Sequence, residues 1–261
     1  MRPLWTGSIS FGLVSIPVKV YSAARERALS FRLLDKKDHC PISYKKVCRD
    51  DDKPVRQQDI VKGYEYEKGV YVPLEPEDFK KANSKKTGTI DILKFVDVRD
   101  IEAKYFEKPY YLEPDKKAAK AYSLLRDALG ETKKVGIATF VMRDREHIVA
   151  LKADEKIIEL IQLRFNDEIV DPKNLDIPGK REYSKNEMEI AKSLIEKLVD
   201  KFDPKDYKDT YTEELMRLIE AKAKGKKIRV SDEKAPKPTD VTDLLAALKK
   251  SLEREKASSK K

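Results

Sequence analysis

The stretch ISFGLVSIPVKVY at residues 9–21 decides the fold class. Ile9, Phe11 and Leu13 share one parity, while Val14, Ile16, Val18 and Val20 share the other. Alternation with period two marks a half-buried strand. The parity switch beside Gly12 predicts a bulged or sharply bent strand, the device by which sheets turn barrel corners. Further along, DIVKGYEYEKGVYVPL at 59–74 reads as two β-branched and aromatic runs joined at Glu67-Lys68-Gly69, a hairpin with positive φ at the glycine. Short strands are predicted at 89–96, 104–112 and 135–142, and the run 147–152 pairs back across a turn of Arg143, Asp144, Arg145 and Glu146. Residues 157–165 fit both the strand and the helix period. A helix is predicted over 116–129, with Asp115 as N-cap and Gly130 as its stop. The body is mainly β.

After Pro178-Gly179 the period becomes helical. Ser184 and Glu187 form a capping box, and Met188, Ala191, Leu194, Ile195, Leu198 and Phe202 make one apolar stripe that Asp203-Pro204 ends. Thr210 and Glu213 offer a second box for a helix carrying Leu215, Leu218 and Ile219. From Lys222 the chain is basic: Lys222, Lys224, Lys226, Lys227 and Arg229 surround Gly225 without an acid, and a Pro-containing linker follows. Val241, Leu244, Leu245, Leu248 and Leu252 then restore a helical stripe. A helix of about 14 residues is marginal alone in water, so this face needs a partner.

The chain has 261 residues, room for one large or two small domains. With 39% charged and 40% hydrophobic residues it folds around a core, which excludes a fully disordered chain. No apolar run approaches the roughly 18 residues of a membrane span, and no secretory signal is expected at the N-terminus. Two cysteines predict a reducing, cytoplasmic setting. The net charge is +9, but residues 222–261 hold 13 basic and 6 acidic side chains, so most of the excess lies in the tail. The remaining chain is nearly neutral, and an anion-binding surface there requires charges segregated onto different faces.

No catalytic motif is present: no Walker loop, no GxSxG and no HExxH. Two histidines, His39 and His147, supply a histidine-dependent hydrolase poorly. Cys40 and Cys48, with His39 adjacent, offer three zinc ligands where a structural site needs four, so two reduced thiols are expected and no metal or cofactor. Lys45, Lys46, Arg49, Arg143 and Arg145 recur on predicted strands and turns, read either as a solvated face or as phosphate ligands. The five tail cations bind phosphate without base preference. The late amphipathic stretch reads equally as a helix folded back on the body or as one docking in a partner's groove.

WTGSISFGLVSIPVKVY (5–21), DIVKGYEYEKGVYVPLEPEDF (59–79), KYFEKPYYLEPDKKAAKAYSLLRDAL (104–129) and VGIATFVMRDREHIVAL (135–151) resemble, in order, the bacterial Ku family, and TDLLAALKKSLE resembles its C-terminal segment. The resemblance implies a Ku-type β-barrel with a strand bridge over residues 1–180 and a helical arm over 181–221 that embraces a second subunit. A basic linker over 222–239 and an amphipathic helix with a basic tail over 240–261 follow. It implies a homodimeric ring, associated with the nucleoid, that takes double-stranded DNA ends without the additional N-terminal domain of eukaryotic Ku. It also implies that an ATP-dependent multidomain DNA ligase is recruited for non-homologous end joining. By position in the family, Lys45, Lys46 and Arg49 lie on the bridge, and Arg143 and Arg145 in a turn facing the channel. Lys222, Lys224, Lys226, Lys227 and Arg229 form a phosphate tether, and Val241, Leu244, Leu245, Leu248 and Leu252 form the partner-binding face. The alternative is a basic barrel that stacks single-stranded bases on Tyr64, Tyr66 or Tyr71. The competing reading places those tyrosines in the barrel core.

Overall fold

A computed structural model describes residues 1–25, 29–83, 88–143, 145–180 and 182–225, the side chains at 80, 82 and 83 excepted. Two compact units divide the chain, residues 1–172 and the remainder. The first holds a closed barrel of β1 (Trp5–Phe11), β2 (Val14–Ser22), β5 (Thr89–Asp97), β6 (Phe106–Pro114), β7 (Lys134–Met142), β8 (Arg145–Asp154) and β9 (Ile157–Leu163). Its order is β1-β2-β6-β9-β8-β7-β5, and a short parallel contact of β1 with β5 closes it. Residues 157–165, open between two periods, supply strand β9.

The parity switch at Gly12 is a hairpin turn rather than a bulge. Phe11 pairs with Val14, leaving Gly12 and Leu13 as a two-residue loop with Gly12 at φ +59. Glycine first in such a loop suits a type II′ turn, whose twist matches the flanking strands. Leu13 at its tip is fully exposed, and Phe11 is exposed as well. The inward residues are Ile9, Ile16, Val18 and Val20, joined by Ile90, Leu112, Phe140, Val149, Leu151, Ile158 and Leu160. Each is buried, and together they form the barrel core.

Helix α2 (Ala119–Thr132) adds Tyr122, Leu125 and Leu129 to that core. Asp115 caps the preceding 3-10 turn by accepting from the amide of Lys117. Gly130 does not stop the helix. The chain runs on to Thr132, and Lys133, at φ +53, takes the left-handed cap with its N–H on the Gly130 carbonyl. At the other wall, Gly7 is required by close approach, because a Cβ there would meet the Trp5 ring at 2.2 Å and the Gly88 carbonyl at 2.3 Å. The Trp5 indole N–H donates to the Val141 carbonyl at 2.9 Å, and its ring stands edge-on to Phe140.

Between β2 and β5 lies an arm outside the barrel sheet. Its hairpin of β3 (Lys62–Glu67) and β4 (Val70–Leu74) turns at Gly69 with φ +82, as the sequence predicts, and forms a separate two-stranded sheet. Helix α1 (Pro76–Asn83) follows. Tyr64, Tyr66 and Tyr71 are therefore not barrel core. They stand on this hairpin 64%, 72% and 61% exposed.

In the second unit, α3 (Lys185–Lys197) begins with the predicted box: Ser184 Oγ accepts from the Glu187 amide, and Glu187 accepts from the Ser184 amide. It ends at Leu198, well before Asp203-Pro204. Helix α4 (Thr210–Ala223) is capped by Asp209, one residue ahead of the predicted Thr210. The carboxylate is the better cap because it accepts from both the amide and the hydroxyl of Thr212. Neither helix buries a residue. No described helix is long and apolar enough to cross a membrane.

Candidate nucleic-acid interface

Two tandem turns open the arm. Leu34 bridges Pro41 and Val47 bridges Pro54, and the backbone hydrogen bonds inside the two turns correspond one for one. The amide of Asp35 donates to the Cys40 carbonyl and that of Cys48 to the Lys53 carbonyl, each at 2.9 Å. His39 N–H reaches the Asp35 carbonyl as Asp52 N–H reaches that of Cys48. His39 and Asp52 occupy the same left-handed position, at φ +58 and +54. A non-glycine residue there is tolerated when local hydrogen bonds fix the turn.

This repeat positions three of the predicted cations. Lys45 and Lys46 lie on the segment joining the turns, and Arg49 lies in the second turn; all are exposed. Lys46 is held at both ends, its Nζ donating to Gln57 Oε1 at 2.6 Å and its carbonyl accepting from the Val55 amide. Among the described residues Lys45 and Arg49 form no ion pair. Cys40 is exposed and Cys48 half-buried, both reduced. Among the described residues no group of three or more metal-ligating side chains gathers.

The second predicted pair sits at the β7–β8 hairpin. Met142 pairs with Arg145, so the turn is shorter than the predicted four residues, and Arg145 and Glu146 belong to β8. Arg143 is in the turn at φ +54, exposed and close enough to Tyr110 to bear on its hydroxyl electrostatically. Arg145 differs. Its Nη2 is paired with Glu168 Oε1 although its side chain remains 64% exposed. Glu168 stands at the end of a 3-10 turn, Asn166–Glu168, and its other oxygen accepts from the Phe165 amide at 2.8 Å. That amide, then Arg145, holds the Glu168 carboxyl below the usual glutamate range. Nearby Arg164 is committed to the carbonyls of Lys104 and Phe106 at 3.0 and 2.7 Å.

Beside them His147 packs against Phe140, and burial, with the charge of Arg145 adding, pushes its imidazole below the ordinary histidine value. It is neutral at neutral pH and adds no charge to the edge. Sequence reading missed Glu168, because an acid in an irregular turn well beyond Arg145 in the chain carries no periodic signal. A Phe-x-x-Glu spacing at a chain reversal, where the acid can reach back to the first amide, is the trace it leaves.

Of the tail cations, Lys222 lies on the last turn of α4 and Lys224 at its C-cap, where positive charge complements the helix dipole. Lys226, Lys227 and Arg229 lie outside the described residues, as do Val241, Leu244, Leu245, Leu248 and Leu252.

Residues 10–191 match the family model described as "Ku: Ku70/Ku80 beta-barrel domain". A curated protein of Opitutus terrae named "Non-homologous end joining protein Ku" is 46% identical, covering all of this chain and 95% of its own length. A protein of the same name from Archaeoglobus fulgidus is 43% identical over 97% of this chain and 99% of its own. Another, from Bacillus subtilis, is 38% identical over 97% of this chain and 82% of its own.

Proposed function

The chain belongs to the Ku family, and on that premise we propose that it is a homodimer that binds double-stranded DNA ends, encircles them without reading sequence, and serves non-homologous end joining. It is a non-catalytic scaffold that recruits an ATP-dependent DNA ligase. The observation that carries this reading is the arm. None of its described residues from 29 to 83 is buried, and it displays Phe31, Leu33, Ile42, Tyr44, Tyr64 and Tyr66 beside Lys45, Lys46 and Arg49. A segment of this size without a core of its own has surfaces for other molecules. The apolar side chains suit a second subunit and the cations a phosphate backbone.

The distribution of charge supports sequence indifference. Contacts to phosphate position a protein on DNA but carry no base information, and the candidate cations are dispersed over the arm, the β7–β8 hairpin and the end of α4 rather than gathered on one helix shaped for a groove. Arg143 and Arg145 at the hairpin, Lys45, Lys46 and Arg49 on the arm, and the cations from Lys222 to Arg229 are the candidates for those contacts. Val241, Leu244, Leu245, Leu248 and Leu252 are the apolar residues that meet the ligase. A ring must load at an end, so linear duplex is expected to bind and covalently closed circles of the same sequence to compete poorly. Equal binding to both would refute encirclement. The exposed tyrosines of β3 and β4 favour one other reading, stacking of single-stranded bases; a preference for a single-stranded oligonucleotide over duplex in the same assay would establish it instead.

A further inference from the structure

At the β7–β8 hairpin two arginines stand two residues apart, both exposed, yet their electrostatic situations differ. Arg143 has no ion pair among the described residues, whereas Arg145 is paired with Glu168. Glu168 is not a loosely placed acid that drifts to the nearest cation. One oxygen is fixed by the Phe165 amide, at the start of the turn that presents it, and the other faces the Arg145 guanidinium. The carboxylate is ionised at neutral pH and its position is set by backbone rather than by Arg145 alone. The pair is solvent-exposed, so its own contribution to folding is small. Its consequence is for the charge offered to a ligand, since an arginine neutralised by a backbone-anchored acid releases no counterion from DNA.

We infer that Glu168 is a positioning residue that withholds Arg145 from the duplex, so that the hairpin offers one phosphate-binding guanidinium, Arg143, where the sequence offers two. The inference rests on the proposal that this hairpin meets DNA, and extends it by making the number of contacts at the hairpin a property of a residue that does not touch DNA. Such a limit sets how strongly the hairpin's grip depends on salt, because each added phosphate contact steepens that dependence.

The test is the slope of log affinity against log salt for a linear duplex, measured on the full chain. Each phosphate contact contributes about 0.9 to that slope. Glu168→Gln keeps an oxygen for the Phe165 amide and removes the charge, and is expected to steepen the slope by about 0.9. The gain must vanish in Glu168→Gln with Arg145→Ala, because it belongs to the freed guanidinium, and Glu168→Asp, which keeps the charge, should stay near the parent. Arg143→Ala, expected to flatten the slope by about 0.9, tests the underlying reading separately. If Arg143→Ala flattens the slope while Glu168→Gln leaves it unchanged or weakens binding, the inference is overturned and the hairpin contact stands. A Glu168→Gln gain that persists without Arg145 also overturns it. If neither Arg143→Ala nor Glu168→Gln moves the slope, the hairpin does not meet DNA and both fall. Matching thermal unfolding of Glu168→Gln and the parent shows that the comparison is made between folded proteins.

Discussion

The hydroxyl of Tyr122 donates to the Leu112 carbonyl and accepts from the Ile158 amide, both at 2.7 Å. Leu112 and Ile158 face each other at the end of the β6–β9 ladder, so a helix side chain completes a strand pairing. Tyr122 is 4% exposed, and burial raises the pKa of its hydroxyl. Phenylalanine in its place would preserve the ring's packing but strand a buried donor and acceptor, at a cost of about 3 kcal/mol. Denaturant unfolding of Tyr122→Phe should show that loss; a midpoint within error of the parent would mean that the bridge contributes nothing. Periodicity marks Tyr122 as facing the core, but it does not say that its oxygen reaches two strands distant in the chain. Glu168 is hidden for the same reason: its role comes from a backbone amide and an arginine brought together only by the barrel.

Elements were more legible than their ends. The period-two runs at β5, β6, β7 and β8 and the helical runs at α2, α3 and α4 all appear where the sequence places them, because burial on one face imposes its spacing whatever the partner. Gly12 was misread for a definable reason. A one-residue bulge and a two-residue hairpin loop both shift the inward parity by one, so the pattern from Ile9 to Val20 fits either, and only the pairing of Phe11 with Val14 distinguishes them. Helix α3 shows the converse, a stripe that is legible but unburied: Ile195 and Leu198 are 65% and 59% exposed in the single chain. If a second subunit covers them, Ile195→Glu with Leu198→Glu should shift the protein to monomer in sedimentation while the barrel unfolds at its usual temperature. Retention of the dimer would remove α3 from that interface.

For the whole molecule, the +9 net charge is divided between a nearly balanced stretch, residues 1–221, and a basic one, residues 222–261. The two parts are expected to fail separately. Removing residues 222–261 should leave a dimer that still loads on DNA ends, with weaker binding and a flatter salt slope. Leu244→Glu with Leu248→Glu should keep DNA binding and weaken stimulation of ligation. An unchanged salt slope in the first variant, or full stimulation in the second, would dismiss the corresponding role. The proposed ring comes only from resemblance to a family, since nothing in the alternation of a strand states how many chains would enclose a duplex.

The arm leaves the barrel after β2 and returns at β5, and these strands flank β1. The seam between β1 and β5 spans only Ser8 to Ser10 against Thr89 to Asp91, and it is the one parallel pairing in the barrel. Hairpin β1–β2 and the run β7–β8–β9 pair neighbours in the chain and form quickly, whereas the seam waits for the whole arm to be gathered in. The barrel therefore closes late, and until then β1 and β5 present unpaired edges to other chains. The segment proposed to hold DNA is thus also the one that lengthens the protein's exposure to aggregation during synthesis.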